Sequence, residues 1–383
     1  MKICLVSQEY PPETGGGGIG TQTYLKAHGL AARGHEVHVV SASWDAEART
    51  YHDGGATIHR ISEPQLRVDG YEQSTYWLAY SMAVAEKLHE LGKELKFDVI
   101  QFAEYGGEGF FFQTDTFAQR QAKYVVQLHG PLAMFAETMG WPEPGTFLEI
   151  GTFMERMVMQ HADRLMASSR YIARFYGRDD AVVVHSGIDT EKFSPRPQPA
   201  DERSPRVLFV GTIVGNKGIG LLVDAVLRLR AKFPKICLRV VGKGEDEILQ
   251  RLQQQITAAG AESNFEFMGY VAHDKLPEHY AWCDFFAALS TIETLGNTYL
   301  EAMACGRAPI ACNTGGTPEV VIDQQTGLLI PPRDVTALEN TIVTLADDAA
   351  LRERLAKEGR RWVEEHFSMA QYIDRVEAAY TDG

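Results

Sequence analysis

Two glutamates eight positions apart, Glu293 and Glu301, stand in the stretch Ser290-Thr-Ile-Glu-Thr-Leu-Gly-Asn-Thr-Tyr-Leu-Glu-Ala-Met-Ala-Cys-Gly306. An apolar run, Phe285 to Leu289, leads in and a helix-favouring run follows. The stretch therefore reads as a strand, a tight loop at Leu295 and Gly296, and a helix opening near Asn297 or Thr298. A helix N-terminus reached in this way presents backbone N–H groups and the positive end of the helix dipole, which suits a phosphate or diphosphate. Gly296 lets the backbone come close. Glu293 precedes the helix, and Glu301 lies about one turn inside it, roughly 5 Å further along the axis. The carboxylates thus bracket an anion hole. As acceptors they would repel the phosphate itself and bind hydroxyls on either side of it. A sugar, a diphosphate and a ribose fit that order. The competing reading is a capping box of Thr298 and Glu301, with Glu293 an ordinary loop acid.

With its continuation, Ala302-Met-Ala-Cys-Gly306 and then Thr314-Gly-Gly-Thr-Pro-Glu319, the Glu293-x7-Glu301 spacing resembles the donor-site signature of the retaining glycosyltransferases of family 4, which have the GT-B fold. The resemblance implies an α/β chain of two facing Rossmann-like domains with parallel sheets, an active site in the cleft, and a C-terminal helix crossing back to the first domain. On this expectation residues 1–195 bind the acceptor and residues 196–366 bind the nucleotide sugar. Residues 367–383 form the terminal helix, with Phe367-Ser-Met369 as the crossing point and methionine where tryptophan is frequent. Glu293 would orient the transferred sugar, Glu301 would hold the ribose diol, and Thr294, Leu295, Gly296, Asn297 and Thr298 would line the donor.

Length and composition agree with such a protein. A chain of 383 residues suits two domains, and 45% apolar with 23% charged residues is ordinary for a globular fold. The net charge of −14 is spread evenly, with 18 Lys and Arg against 25 Asp and Glu up to residue 200, and 19 against 26 beyond it. No basic lobe exists to bind nucleic acid or an anionic membrane surface. No export signal or membrane span is evident, and the five cysteines, an odd number without CxxC spacing, read as buried thiols in a reducing cytoplasm.

In the first domain, the strand-like Ile3 to Val6 leads through Pro11-Pro12 to the run Gly15 to Gly18 and a helical pattern from Thr21 to Arg33. Strand, glycine loop and helix have the form of a phosphate-approach loop, although polyglycine is equally a linker. With Ala32 to Val40 it resembles the family's first βαβ unit, which implies that the N–H groups of Gly17 and Gly18 would add to the donors on the diphosphate. Strands are expected at Ala56 to Ile61, Asp98 to Ala103, Tyr124 to Leu128, Arg164 to Ala167 and Val182 to Val184, with helices between them in an open parallel sheet. His35 and His38 read as turn and strand surface rather than metal ligands. Ligands of such sheets sit beyond the strands' carboxyl ends, which singles out His129 in Leu128-His-Gly-Pro131. It matches the family's active-site histidine, a hydrogen-bond donor to the transferred sugar. Glu104, Tyr105 and Glu108 occupy a similar rim and face either the acceptor or solvent.

The second domain follows the proline- and charge-rich Arg196 to Pro205. Its first loop, Gly211-Thr-Ile-Val-Gly-Asn-Lys-Gly218, resembles the family's diphosphate-binding element, with Lys217 as the cation. Thr212 departs from the pattern, since the family commonly has arginine there, and Lys243 is a candidate replacement. Gly242, in Val241-Gly-Lys-Gly-Glu245, and the segment Met268-Gly-Tyr-Val271 would flank the base. Lys217 with the N–H groups of the Leu295–Thr298 region would stabilise the leaving diphosphate. Catalysis is thus expected from His129, Lys217 and Glu293 by front-face displacement, without a metal, since no Asp-x-Asp stands in a donor loop. No cofactor is implied beyond the nucleotide sugar as co-substrate. Family frequency suggests a UDP-sugar of the UDP-glucose type, with GDP-mannose next, and a soluble or lipid-linked sugar or small-molecule acceptor. A sugar-nucleotide isomerase and a non-catalytic binding subunit remain as alternatives, and a monomer and a homodimer fit equally.

Overall fold

A computed structural model describes residues 1–14, 18–45, 47–62, 72–115 and 122–381, with backbone alone for 72–74. The chain forms two units, Met1–Gly187 with Met369–Gly383, and Ile188–Ser368. The division stands at 187/188 and 368/369 rather than at the expected 195/196 and 366/367. The cause is local: Ile188 and Phe193 are buried in the second unit's core, and the Ile188 N–H donates to Phe367 O at 2.8 Å.

The first unit is built on β1 (Lys2–Val6), β2 (Glu36–Ala42), β3 (Arg49–Asp53), β4 (Ala56–Ile61), β5 (Val99–Ala103), β6 (Lys123–Leu128), β7 (Arg164–Ala167) and β8 (Val182–Val183). Among the described residues they form one sheet in the order β3-β4-β2-β1-β5-β6-β7-β8. The central strands are apolar because helices cover both faces. One expectation fails here: the sheet is not wholly parallel, since β3 runs antiparallel to β4. Arg49-Thr-Tyr-His-Asp53 lacks an apolar signal, and it becomes a strand through its partner and the two-residue turn Gly54-Gly55. Both turn residues have positive φ, 56° and 88°, as this hairpin geometry requires.

The terminal helix Met369–Thr381 belongs to this unit and packs on the helix Gly18–Ala32. Ile373 and Val376 share a core with Ala27 and Leu30, and Arg33 pairs with Asp374 at 2.7 Å. His35 bonds Glu377 at 2.7 Å. His38 is not strand surface as expected: it is buried, with Nδ1 2.9 Å from His59 Nε2, because β4 lies alongside β2. No group of three His, Cys, Asp or Glu among the described residues could hold a metal ion.

The second unit contains β9 (Arg206–Val210), β10 (Cys237–Val241), β11 (Phe265–Gly269), β12 (Phe285–Ala288), β13 (Ala308–Cys312) and β14 (Leu328–Ile330), in the order β11-β10-β9-β12-β13-β14. Every pairing is parallel, so the carboxyl ends of all six strands share one edge. No described helix is long and apolar enough to cross a membrane.

Candidate active site

The loops leaving β9, β10, β12 and β13 are joined through their backbones. Ile213 N–H donates to Lys243 O (2.8 Å), Thr291 N–H to Asn216 O (2.8 Å), Leu289 N–H to Lys217 O (3.3 Å) and Gly316 N–H to Glu293 O (2.8 Å). Two of these approaches exclude side chains: a Cβ on Gly242 would stand 1.9 Å from Gly211 O, and one on Gly315 2.2 Å from Glu293 O. Gly211, Thr212, Lys217, Gly242 and the segment Glu293 to Glu301 are thereby gathered on one edge of the second sheet.

Lys217 Nζ reaches Glu293 Oε2 at 2.8 Å, with side-chain exposures of 28% and 15%. Thr294 and Leu295 lead to Gly296, which takes φ 101° and starts the helix Asn297–Ala304 with no side-chain cap. The N–H groups of Asn297 and Thr298 lie in the first turn, where no intrahelical acceptor precedes them. Asn297 Oδ1 is buried without a hydrogen-bond partner. The capping-box alternative is excluded, because the cap residue is Gly296 and Thr298 lies inside the first turn, and the oxygens of Glu301 meet other partners. Oε1 lies 3.1 Å from His273 Nε2, and Oε2 accepts from the Tyr280 hydroxyl at 2.7 Å. His273 Nδ1 in turn lies 3.1 Å from Lys192 Nζ. Thr212 is exposed, and Lys243, also exposed, sets its ammonium 5.4 Å from the Tyr270 ring centre.

Lys192, His273 and Tyr280 escaped the sequence reading. Their partnership with Glu301 is non-local, and Tyr280 looks like an ordinary apolar helix residue. A signal existed for His273, which stands beyond the carboxyl end of β11 in its own sheet as His129 stands beyond that of β6 in the other.

The remaining predicted residues belong to the first unit. Gly18 opens the helix Gly18–Ala32, and Gly17 lies outside the described residues. Glu9 Oε2 accepts from the Gly20 N–H at 3.1 Å in this first turn, and burial raises its pKa. Glu104 and Glu108 do not line a solvated rim, which corrects that alternative: both are buried. One oxygen of Glu104 accepts from the N–H groups of His129 (2.5 Å) and Gly130 (2.6 Å) and from Tyr176 Oη (3.2 Å). Glu108 Oε1 accepts from the Gln8 N–H at 2.9 Å. The second oxygen of each is buried without a partner. Burial, only partly opposed by these donors, raises Glu104 to about 7 and Glu108 to about 8. Tyr105 is half-buried, edge-on to Trp77 at 5.4 Å. His129 is half-buried by surface yet enclosed enough that burial, with the nearby Lys26 charge, pushes its pKa down to about 3. Lys26 donates to Gln101 Oε1 at 2.9 Å, and burial lowers it to about 7. Glu104 thus fixes the backbone of His129, and the imidazole it presents is neutral.

Residues 16–192 match the family model described as Glycosyltransferase Family 4, and residues 190–362 match that of glycosyl transferases group 1. The chain is similar to the GDP-mannose-dependent alpha-(1-6)-phosphatidylinositol monomannoside mannosyltransferase of Mycolicibacterium smegmatis, with 27% identity over 94% of this chain and 93% of that one. Among solved structures it resembles sucrose-phosphate synthase from Thermosynechococcus elongatus, with a TM-score of 0.83, 22% identity, and coverage of 99% of this chain and 98% of that one. It also resembles Anabaena HepE in complex with UDP and glucose, with a TM-score of 0.75, 21% identity, and full coverage, 100%, of both chains. These two structural likenesses concern the fold. The two family matches meet near residue 190 and together run from residue 16 to residue 362, so the chain belongs to the group 1 glycosyltransferases and has their GT-B fold.

Proposed function

We propose that the protein is a retaining, metal-independent hexosyltransferase that moves a sugar from a nucleoside diphosphate to a hydroxyl acceptor. The observation that carries this reading is the convergence of Lys217, Glu293, Glu301 and the uncapped start of the helix Asn297–Ala304 on one strand edge. The hard step is departure of the diphosphate from the anomeric carbon. Lys217 and the N–H groups of Asn297 and Thr298 are aimed where that negative charge grows, and single donors of this kind are worth about 3 kcal/mol. Glu293 orients the sugar hydroxyls and Glu301 the ribose diol. In a front-face displacement the acceptor oxygen bonds the anomeric carbon on the side the diphosphate leaves, and the departing phosphate takes the acceptor's proton. The neutral imidazole of His129, in the acceptor-binding unit, donates a hydrogen bond to the transferred sugar.

Family frequency favours a UDP-sugar of the UDP-glucose type. A GDP-mannose donor is the second reading, favoured by the name of the mycobacterial relative. The five cysteines are free and buried, which supports a reducing compartment and thus the cytoplasm. Calorimetric titration with UDP, GDP and ADP, repeated on Glu301→Ala, tests the reading. Selective binding of one, lost in the variant, together with transfer from the matching sugar nucleotide, is the expected result. Binding of none would overturn it.

A further inference from the structure

Glu301 is only 6% exposed, yet it is not locked away by a cation. Its oxygens meet a phenol and an imidazole, and the imidazole meets an ammonium. An ammonium group can only donate, so the 3.1 Å approach of Lys192 Nζ makes His273 Nδ1 the acceptor. The ring proton then sits on Nε2 and is donated to Glu301 Oε1, while Tyr280 Oη donates to Oε2. Phe193 packs against the imidazole with ring centres 5.1 Å apart, which holds the ring's plane.

We infer that Lys192 and His273 form a positioning pair that fixes Glu301 to receive a vicinal diol, an inference that rests on the sugar-nucleotide reading above. A carboxylate oxygen can accept two hydrogen bonds. With one acceptor direction on each oxygen used by Tyr280 and His273, the two that remain belong to a group that cannot rotate. Two neighbouring hydroxyls match them. The His273 side chain is 39% exposed against 8% for Glu301, so the histidine is the member of the group that meets an incoming ligand first. The pair therefore acts on specificity: it makes the site reject a nucleotide that lacks one hydroxyl of the diol, and it takes no part in bond breaking.

The test is calorimetric titration of the full chain with whichever of UDP, GDP and ADP binds tightest and with its 2′-deoxy and 3′-deoxy forms. Wild type is compared with Glu301→Ala, His273→Ala, His273→Gln and Lys192→Met. Wild type should prefer the ribonucleotide about tenfold or more. His273→Ala should lower ribonucleotide affinity by about tenfold and leave the deoxy forms nearly unchanged, so that the preference collapses. His273→Gln, which keeps an N–H donor, should restore most of it. Nitrogen-15 spectra of histidine-labelled protein should show His273 as the Nε2–H tautomer in wild type and lose that signature in Lys192→Met. If Glu301→Ala abolishes the preference while His273→Ala retains it, or if the tautomer is Nδ1–H, the inference falls and the sugar-nucleotide reading stands. If wild type binds no nucleoside diphosphate, or Glu301→Ala leaves the preference intact, both fall.

Discussion

Lys217 Nζ stands 2.8 Å from Glu293 Oε2, so the residue assigned to the leaving phosphate and the one assigned to the sugar are paired with each other. The lysine is partly exposed, and a pair of that kind contributes at most ~1 kcal/mol to stability. Its consequence is for the donor. A diphosphate that reaches Lys217 shares or takes the ammonium, and Glu293 is then released to accept a sugar hydroxyl.

The pairing separates two effects of substitution. Lys217→Ala should lower kcat by roughly 10²- to 10³-fold, because it removes charge stabilisation that is strongest in the transition state. Folding stability should change by less than ~1 kcal/mol. Steady-state kinetics with a saturating donor, set beside urea unfolding, checks both. A large loss of stability with little change in kcat would return Lys217 to a structural role.

Glu301→Ala should act the other way. Hydrogen bonds between a charged group and ligand hydroxyls are worth ~1.5–3 kcal/mol, so the donor Kd should rise about ten- to hundredfold. The rate of the bound donor should change less. Equal, small effects in this variant and in Lys217→Ala would count against the division of roles.

Much of the second-unit site is legible in sequence because it is made of consecutive residues. A strand, Gly296 and a helix place Glu293, Thr298 and Glu301 by local rules, and Gly211, Lys217 and Gly242 follow strands that begin as apolar runs. What was not legible is non-local. Glu104 and Glu108 look like loop acids beside glycines. They are buried because the N–H groups of His129, Gly130 and Gln8 need acceptors, and nothing near Glu104 in sequence announces partners 25 and 26 positions away. Likewise β3 has only Tyr51 to pack on the core and is a strand by pairing with β4, and the His38–His59 contact follows from the register of β2 on β4.

Glu104 makes stability depend on pH in a defined sense. Burial raises its folded pKa to about 7, above the unfolded carboxylate value of about 4.3. The folded state therefore holds the extra proton between these values. The stabilisation is whole below about pH 4 and is lost as pH rises through about 7, by roughly 4 kcal/mol at most. Glu108, raised to about 8, acts in the same direction. His129, lowered to about 3, adds stability as pH rises from about 3 to about 6.5. Comparison with Glu104→Gln removes these shared contributions. Between pH 5 and pH 8, urea titration should show wild type losing roughly 2 kcal/mol more than the variant. Parallel losses would mean that Glu104 ionises freely in the fold.

His129 gives the corresponding prediction for catalysis. Burial first, and then the Lys26 charge, hold its pKa down to about 3, so the imidazole is neutral throughout pH 5 to 8. A neutral ring donates one hydrogen bond and releases no proton in that range. His129→Gln should therefore lower kcat on the order of 10²-fold, while wild type and variant keep the same shape of kcat against pH between 5 and 8. Glu104, which holds the His129 and Gly130 N–H groups, titrates inside this window and contributes equally to both profiles. An inflection present in wild type and absent from His129→Gln would show that the imidazole itself gains or loses a proton during turnover, and the hydrogen-bond role would have to give way to acid–base catalysis.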